Sequence, residues 1–196
     1  ILQVCLAVVT YSSLDQTNID NCAALPANEI CQFTLSANLL DVTSVNLNLN
    51  GCTSKRLELL GPGLIEGDAS STSPLFSSTI GLLSSLELYI KSVTFRNIGK
   101  VVKMDSGTIS IYNSTFDNVK SAIELIDHGV GLLVNSTIKN SGDTSSAHEG
   151  TIYLNGLNQL NSFQLLNCNF MNNKFPLQVK DSDMTGVNIN VQTCEN

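Results

Sequence analysis

The feature that most constrains this chain is a repeat near its centre. Leu88–Asn97 reads LYIKSVTFRN and Ile109–Asn118 reads ISIYNSTFDN. Leu88 matches Ile109, Ile90 matches Ile111, Thr94 matches Thr115, Phe95 matches Phe116 and Asn97 matches Asn118, all at one and the same offset. A unit of about 20 residues cannot bury its own apolar face. A fixed period therefore implies units stacked so that neighbours complete each other's core.

The register continues beyond the first pair. Leu132–Asn140 ends Ile138-Lys-Asn140, one step of similar length after the second copy, and Phe163–Asn172 ends Phe170-Met-Asn172 after a longer step. The longer step is an insertion, placed either in Ser141–Gly150 or in Asn155–Asn161, both polar and turn-forming. A last strand is expected over Val187–Val191. Each copy is followed by a second short apolar run: Val101–Met104, Ala122–Ile126, Thr151–Leu154 and Leu177–Val179. These runs alternate with period two, are rich in β-branched residues and are broken by Gly, Asn and Asp, so they read as strands. No window supports a long amphipathic helix. Earlier in the chain, residues 12–31 read as turns, and Phe33–Ser36, Val45–Asn50 and Arg56–Ile65 as strands. A Gly-Pro-Gly turn falls in the last of these, and Ala69–Pro74 is an exposed loop.

Stacking places equivalent residues at strand spacing, about 4.8 Å apart. Leu88 with Ile109, and Ile90 with Ile111, Leu133 and Leu165, become internal aliphatic columns; Phe95, Phe116, Ile138 and Phe170 form another. Asn97, Asn118, Asn140 and Asn172 are expected to form an internal ladder at a tight bend, since Asn tolerates the left-handed conformation and its amide bonds to copies above and below. Aligning Leu165 with Val191 sets Cys168 against Cys194, within reach of a disulfide.

With these residues in view, the chain resembles the right-handed parallel β-helix family. The Phe-x-Asn turn followed by an apolar strand is similar to the repeats of polymorphic outer-membrane proteins and of pectate-lyase-like surface proteins of bacteria and protists. The likeness covers residues 76–194 well and 33–75 loosely. The third copy departs from it with Ile138 in place of Phe, and no GGAI signature follows the turns. The resemblance implies an all-β, right-handed, single-stranded parallel β-helix (a solenoid) of about six to eight short rungs, stapled by disulfides. One domain is expected over 1–196, with an N-terminal strand and disulfide-rich cap in 1–32 and stacked rungs in 33–196.

Six cysteines, Cys5, Cys22, Cys31, Cys52, Cys168 and Cys194, include no CxxC, and the two histidines lie far from them, so disulfides are expected rather than a metal site. Cys22 and Cys31 close a short local loop around Pro26; alternatively one of them holds the N-terminal strand through Cys5. Asn113-Ser-Thr and Asn135-Ser-Thr are N-glycosylation sequons one repeat apart, at matching positions. Together these point to a secreted or cell-surface setting. Charged residues make up only 14% of the chain, against about 25% in an average soluble protein. The net charge is −7 and the ten Lys and Arg are scattered apart from Lys55–Arg56, so no basic patch for nucleic acid is expected. No apolar run reaches the roughly 18–20 residues of a membrane span. Ile1–Tyr11 alternates as a strand, read as a mature N-terminal strand rather than the tail of a signal peptide.

The carboxylate pairs available for polysaccharide chemistry are Asp181 with Asp183, Asp127 beside His128, and Asp143 with Glu149. The hallmarks of polygalacturonases (paired Asp, Gly-His-Gly, Arg-x-Lys) are missing, as is the calcium-and-arginine set of pectate lyases. No catalytic residue, cofactor or metal is therefore expected. Tyr89, Tyr112 and Tyr153 are candidate sugar platforms. The leading expectation is a secreted, N-glycosylated wall, matrix or surface-fibre subunit. It would self-associate through Ile1–Tyr11 and the open C-terminal rung. A carbohydrate-binding adhesin, or less so a polysaccharide lyase or hydrolase, is the alternative.

Overall fold

Short alternating segments become strands, and every strand pairing among the described residues is parallel. The computed structural model describes residues 7–26, 29–36, 39–53, 55–79, 85–142, 151–155, 161–180 and 187–192. In chain order the elements are β1 (Val8–Tyr11), α1 (Gln16–Ala23), β2 (Ile30–Thr34), β3 (Leu39–Asp41), β4 (Leu47–Asn48), β5 (Arg56–Glu66), β6 (Pro74–Ser78), β7 (Glu87–Arg96) and β8 (Lys100–Tyr112). They continue with β9 (Thr115–Asp117), β10 (Ser121–Val134), β11 (Thr137–Lys139), β12 (Ile152–Asn155), β13 (Asn161–Leu166), β14 (Asn169–Met171), β15 (Leu177–Lys180) and β16 (Val187–Gln192).

The pairings resolve into three columns of strands. The first holds β1, β2, the starts of β5 and β7, the ends of β8 and β10, then β13 and β16. The second holds β3, the ends of β5 and β7, β9, β11 and β14. The third holds β4, β6, the starts of β8 and β10, β12 and β15. From β2 onward the chain visits first, second and third column in turn, then returns to the first. The result is an all-β, parallel architecture compatible with a β-helix.

The registers match the repeat residue for residue. Ile90, Ile111, Leu133 and Leu165 are successive partners, as are Phe95, Phe116, Ile138 and Phe170. All eight are at most 7% exposed, and burial of such side chains stabilises by about 1.5–3 kcal/mol each. The Phe95 and Phe116 rings stack with centroids 5.1 Å apart. One column shows size compensation. Gly131 pairs with Phe163, and a Cβ at Gly131 would lie 2.1 Å from the Phe163 ring. The missing side chain makes room for the ring next door.

Three expectations are corrected. Residues 16–23 are a helix rather than turns, started by Asp15, whose carboxylate accepts from the Asn18 N–H at 2.9 Å. Two of the second apolar runs do not end before the next copy: Val101–Met104 continues through β8 into Ile109–Tyr112, and Ala122–Ile126 continues through β10. In β10 the corner is turned by a register shift between Leu125 and His128, with Asp127 at φ 61°, so pairing survives the bend. The Gly61-Pro62-Gly63 stretch likewise lies inside β5 at a register shift. A Cβ at Gly61 would meet the Ser92 carbonyl oxygen at 1.8 Å, so this close approach needs glycine.

Disulfide Cys22–Cys31 joins α1 to β2 across a Cα separation of 5.9 Å. Cys5 and Cys194 lie outside the described residues. Cys52, expected in a disulfide, is instead a buried thiol under α1, 3.8 Å from the Ile19 carbonyl oxygen. Burial pushes that thiol up to about 11. No helix among the described residues is long and apolar enough to cross a membrane.

Candidate functional site

Two corners carry the polar repeat. At the corner between the first and second columns, Asn113, Asn135 and Asn167 have φ of 49°, 49° and 54°; at the next corner Asn97, Asn118, Asn140 and Asn172 have φ of 53° to 55°. Asn occupies this left-handed region at less cost than other side-chain-bearing residues. The conformation turns the Asn side chain outward and the next residue inward. The expected internal ladder is thereby corrected: Asn118, Asn140 and Asn172 are exposed and Asn97 is half-buried. The amides still chain along the surface. Asn118 Nδ2 donates to Asn97 Oδ1 at 2.8 Å, Asn172 Nδ2 to Asn140 Oδ1 at 3.5 Å, and Asn140 Nδ2 to Asp117 Oδ1 at 3.0 Å. Asn97 Nδ2 reaches Glu66 Oε1 at 2.7 Å, and Arg96 pairs with the same carboxylate. The Arg96 hydrogen bonds, then Asn97, hold the Glu66 carboxyl below its usual range.

The internal ladder is made of serines. Ser114 Oγ accepts from the Val93 N–H at 3.2 Å and donates to the Tyr112 carbonyl at 2.9 Å. Ser136 Oγ does the same one rung on, with Ser114 N–H at 3.1 Å and Val134 O at 2.9 Å. Ser141 repeats the pattern at the next corner, with Val119 N–H and Lys139 O. Cys168 takes the serine position after Asn167, its sulfur 3.3 Å from Leu133 O. The backbone register of Leu165 with Val191 is as expected, and the partner position Cys194 lies outside the described residues.

Both sequon asparagines, Asn113 and Asn135, stand exposed at the first corner. Among the described residues neither amide nitrogen has a hydrogen-bond partner; Asn135 Oδ1 accepts from Asn167 Nδ2 at 3.2 Å. Asn167 was not anticipated, although Asn-Cys-Asn at 167–169 repeats the spacing of the two sequons.

On the outer face of the first column, Arg56 bonds Glu58 and Glu87, each at 2.8 Å, and lies 4.6 Å over the Tyr89 ring. Tyr89 and Tyr112 tilt together at 5.3 Å. Tyr89 is therefore engaged on its own surface, while Tyr112 borders the sequon. Tyr153 pairs in register with Glu124 and is 7% exposed. Glu124, 8% exposed, is held by Lys100 at 3.4 Å and Lys103 at 3.5 Å. Asp105 nearby is pushed up by burial, against Lys103 and helped by Asp127 and Glu124. Asp127 and His128 occupy the bulge without a hydrogen bond between them. Asp143, Glu149, Asp181 and Asp183 lie outside the described residues. No group of three or more His, Cys, Asp or Glu suited to a metal ion occurs among the described residues.

The two ends differ in construction. At the N-terminal end α1 lies over β4. Gln16 Nε2 donates to Asn48 O at 3.1 Å, and Asn48 N–H donates to Gln16 Oε1 at 2.8 Å, so one side-chain amide replaces a strand neighbour. Ile19 and Cys22 are buried beneath it, and the buried Lys55 ammonium donates to the carbonyls of Leu25 and Pro26. At the other end, β14, β15 and β16 each pair with a single strand among the described residues. Phe175, beside them, is 65% exposed with φ 51°, an unusual conformation for a bulky residue.

Compared with known proteins, the chain matches no family profile and no curated protein.

Proposed function

We propose that this chain is a right-handed parallel β-helix of about six to eight rungs and a secreted, N-glycosylated structural or surface protein whose copies join end to end. The observation that carries the reading is where the exposed apolar side chains lie. Among the described residues, Val8, Leu39, Val130, Met171 and Phe175 are the large exposed ones. Val8 and Leu39 sit on β1 and β3, which among the described residues pair on one side only; Met171 and Phe175 sit on or beside β14 at the opposite end, and Val130 alone of the five stands mid-stack, on β10. Unpaired edges flanked by apolar side chains are templates for another strand. A head-to-tail joint would set β16 against β1 and β14 against β3, extending two columns of the sheet. Because the two faces of such a joint are different surfaces, the contact repeats without closing and yields a filament. The two sequons, the disulfide and the hydroxyl- and amide-rich surface support an extracellular setting. The reading assigns no catalytic role: Glu124 is neutralised by two lysines, and the Asp127–His128 pair is not organised by hydrogen bonds. Carbohydrate binding remains the second reading, favoured by Tyr112 at the rim of the outer face.

Sedimentation velocity over a concentration series, with negative-stain microscopy, tests the assembly. Concentration-dependent oligomers or fibres are expected, and Met171→Lys with Phe175→Ser should return them to monomers. A wild-type protein that stays monomeric at the highest concentration sinks the reading.

A further inference from the structure

The two sequon asparagines stand between two unlike surfaces. On the second-column side, Thr115, Asp117, Thr137 and Lys139 make a polar face closed by the Lys139–Asp117 ion pair at 3.2 Å. On the first-column side, each asparagine follows an outward residue of a different kind: Tyr112 precedes Asn113 and Val134 precedes Asn135, with Leu132 beside them. These side chains are half-buried on a solvent-facing sheet, and Ser110, between Tyr89 and Leu132, is only 8% exposed beneath them. An apolar strip on the outside of a parallel sheet, bordering a modification signal, suggests what covers it.

We infer that Asn113 carries an N-linked glycan whose first N-acetylglucosamine lies on the strip formed by Tyr112, Leu132 and Val134. This rests on the secreted, glycosylated reading above. Asn113 is favoured over Asn135 because it follows the Tyr112 ring, whereas Asn135 follows Val134. The two positions are also adjacent in register, about 4.8 Å apart, which is narrower than a substituted pyranose. The column therefore has room for one sugar chain, and Asn113 is next to the aromatic ring. A pyranose ring has one face rich in C–H groups, which packs on the face of an aromatic ring while its hydroxyls stay in water, as amphipathic rings do at interfaces. The polar second-column face offers no such platform.

The experiment uses protein secreted from a eukaryotic host. Glycopeptide mapping locates the sugar, and melting temperatures are compared for wild type, Tyr112→Ser, Asn113→Gln and the double variant. The expected result is a glycan at Asn113, together with a Tyr112→Ser cost about 2–4 °C larger in the glycosylated protein than in the Asn113→Gln background, a difference typical of a small interaction in a chain of this size. Trimming the glycan to its first sugar should keep that difference, and Tyr112→Phe should restore it. A glycan at Asn113 with equal Tyr112→Ser costs in both backgrounds overturns the seat and leaves the glycoprotein reading standing. A glycan on Asn135 alone, or on both residues of one molecule, overturns the assignment to Asn113. No sugar at either position overturns the inference and the glycoprotein reading together.

Discussion

The N-terminal and C-terminal ends of the stack meet the same physical problem with different solutions. A coil of parallel strands exposes backbone donors and acceptors at both ends, and such edges recruit other strands. At the N-terminal end a helix covers the third column, with Gln16 standing in for a strand, Ile19 plugging the core and Cys22–Cys31 tying helix to sheet. At the C-terminal end the described residues include no comparable cover, and Met171 and Phe175 are exposed. The difference teaches that capping here is partial and directional. Among the described residues the third column is covered at one end, while the first and second columns have unpaired edges at both. The proposed joint between copies would accordingly use two of the three columns.

The comparison can be broken by uncapping the closed end. Ile19→Ala removes the plug and should cost about 2–5 kcal/mol, as for other large-to-small core changes, read by chemical denaturation. The same variant should associate more strongly than wild type at equal concentration. A loss below about 1 kcal/mol would mean that α1 rests on the stack without closing it.

The open end gives a smaller effect of opposite sign. Phe175 adopts φ 51° so that its carbonyl can accept the Thr151 N–H at 2.9 Å. Glycine reaches that conformation without the side-chain clash, so Phe175→Gly should stabilise the monomer by about 1–2 kcal/mol while weakening association. A variant that is less stable than wild type would show that the ring is packed in solution.

The smallest effect concerns the start of α1. Asp15→Ala should cost about 1 kcal/mol at neutral pH through loss of the N-cap. Ser13, then the Asn18 N–H, hold the Asp15 carboxyl below its ordinary value of 3.8. A lowered folded value means that the stabilisation is present above the unfolded value and fades as pH falls through the folded one. The gap between wild type and variant should therefore close in acid, measured as melting temperature from pH 6 down to pH 2. A gap that widens in acid would contradict the cap.

How much of this was legible differs by column and by end. The aliphatic and Phe columns were readable because period two and a nearly constant step between copies survive in the letters, and stacking in register leaves little choice of partner. The side of the bend taken by each Asn was not readable. Recurrence marks the corner, but only the left-handed backbone decides that Asn faces out and the following Ser faces in. Helix α1 escaped because eight residues with two buried positions, Ile19 and Cys22, make a faint helical pattern. Its clearest signal was Asp15 three residues before Asn18, a capping residue in a stretch otherwise full of turn formers. Cys52 was assigned to a bridge by counting, and its burial under that helix depends on an element the count could not contain.

The pairing of Gly131 with Phe163 bears on how such a chain can change over time. Repeats of this kind are easily imagined as interchangeable units, gained or lost whole. Here the space at one level is lent to the next. A duplication of residues 109–130 would leave that pair intact. Deleting the level that holds Gly131 would set the Phe163 ring against Ile109, where a branched side chain already fills the layer. Copy number is therefore free to grow above this point and is constrained across it, so the order of levels carries information that no single level contains.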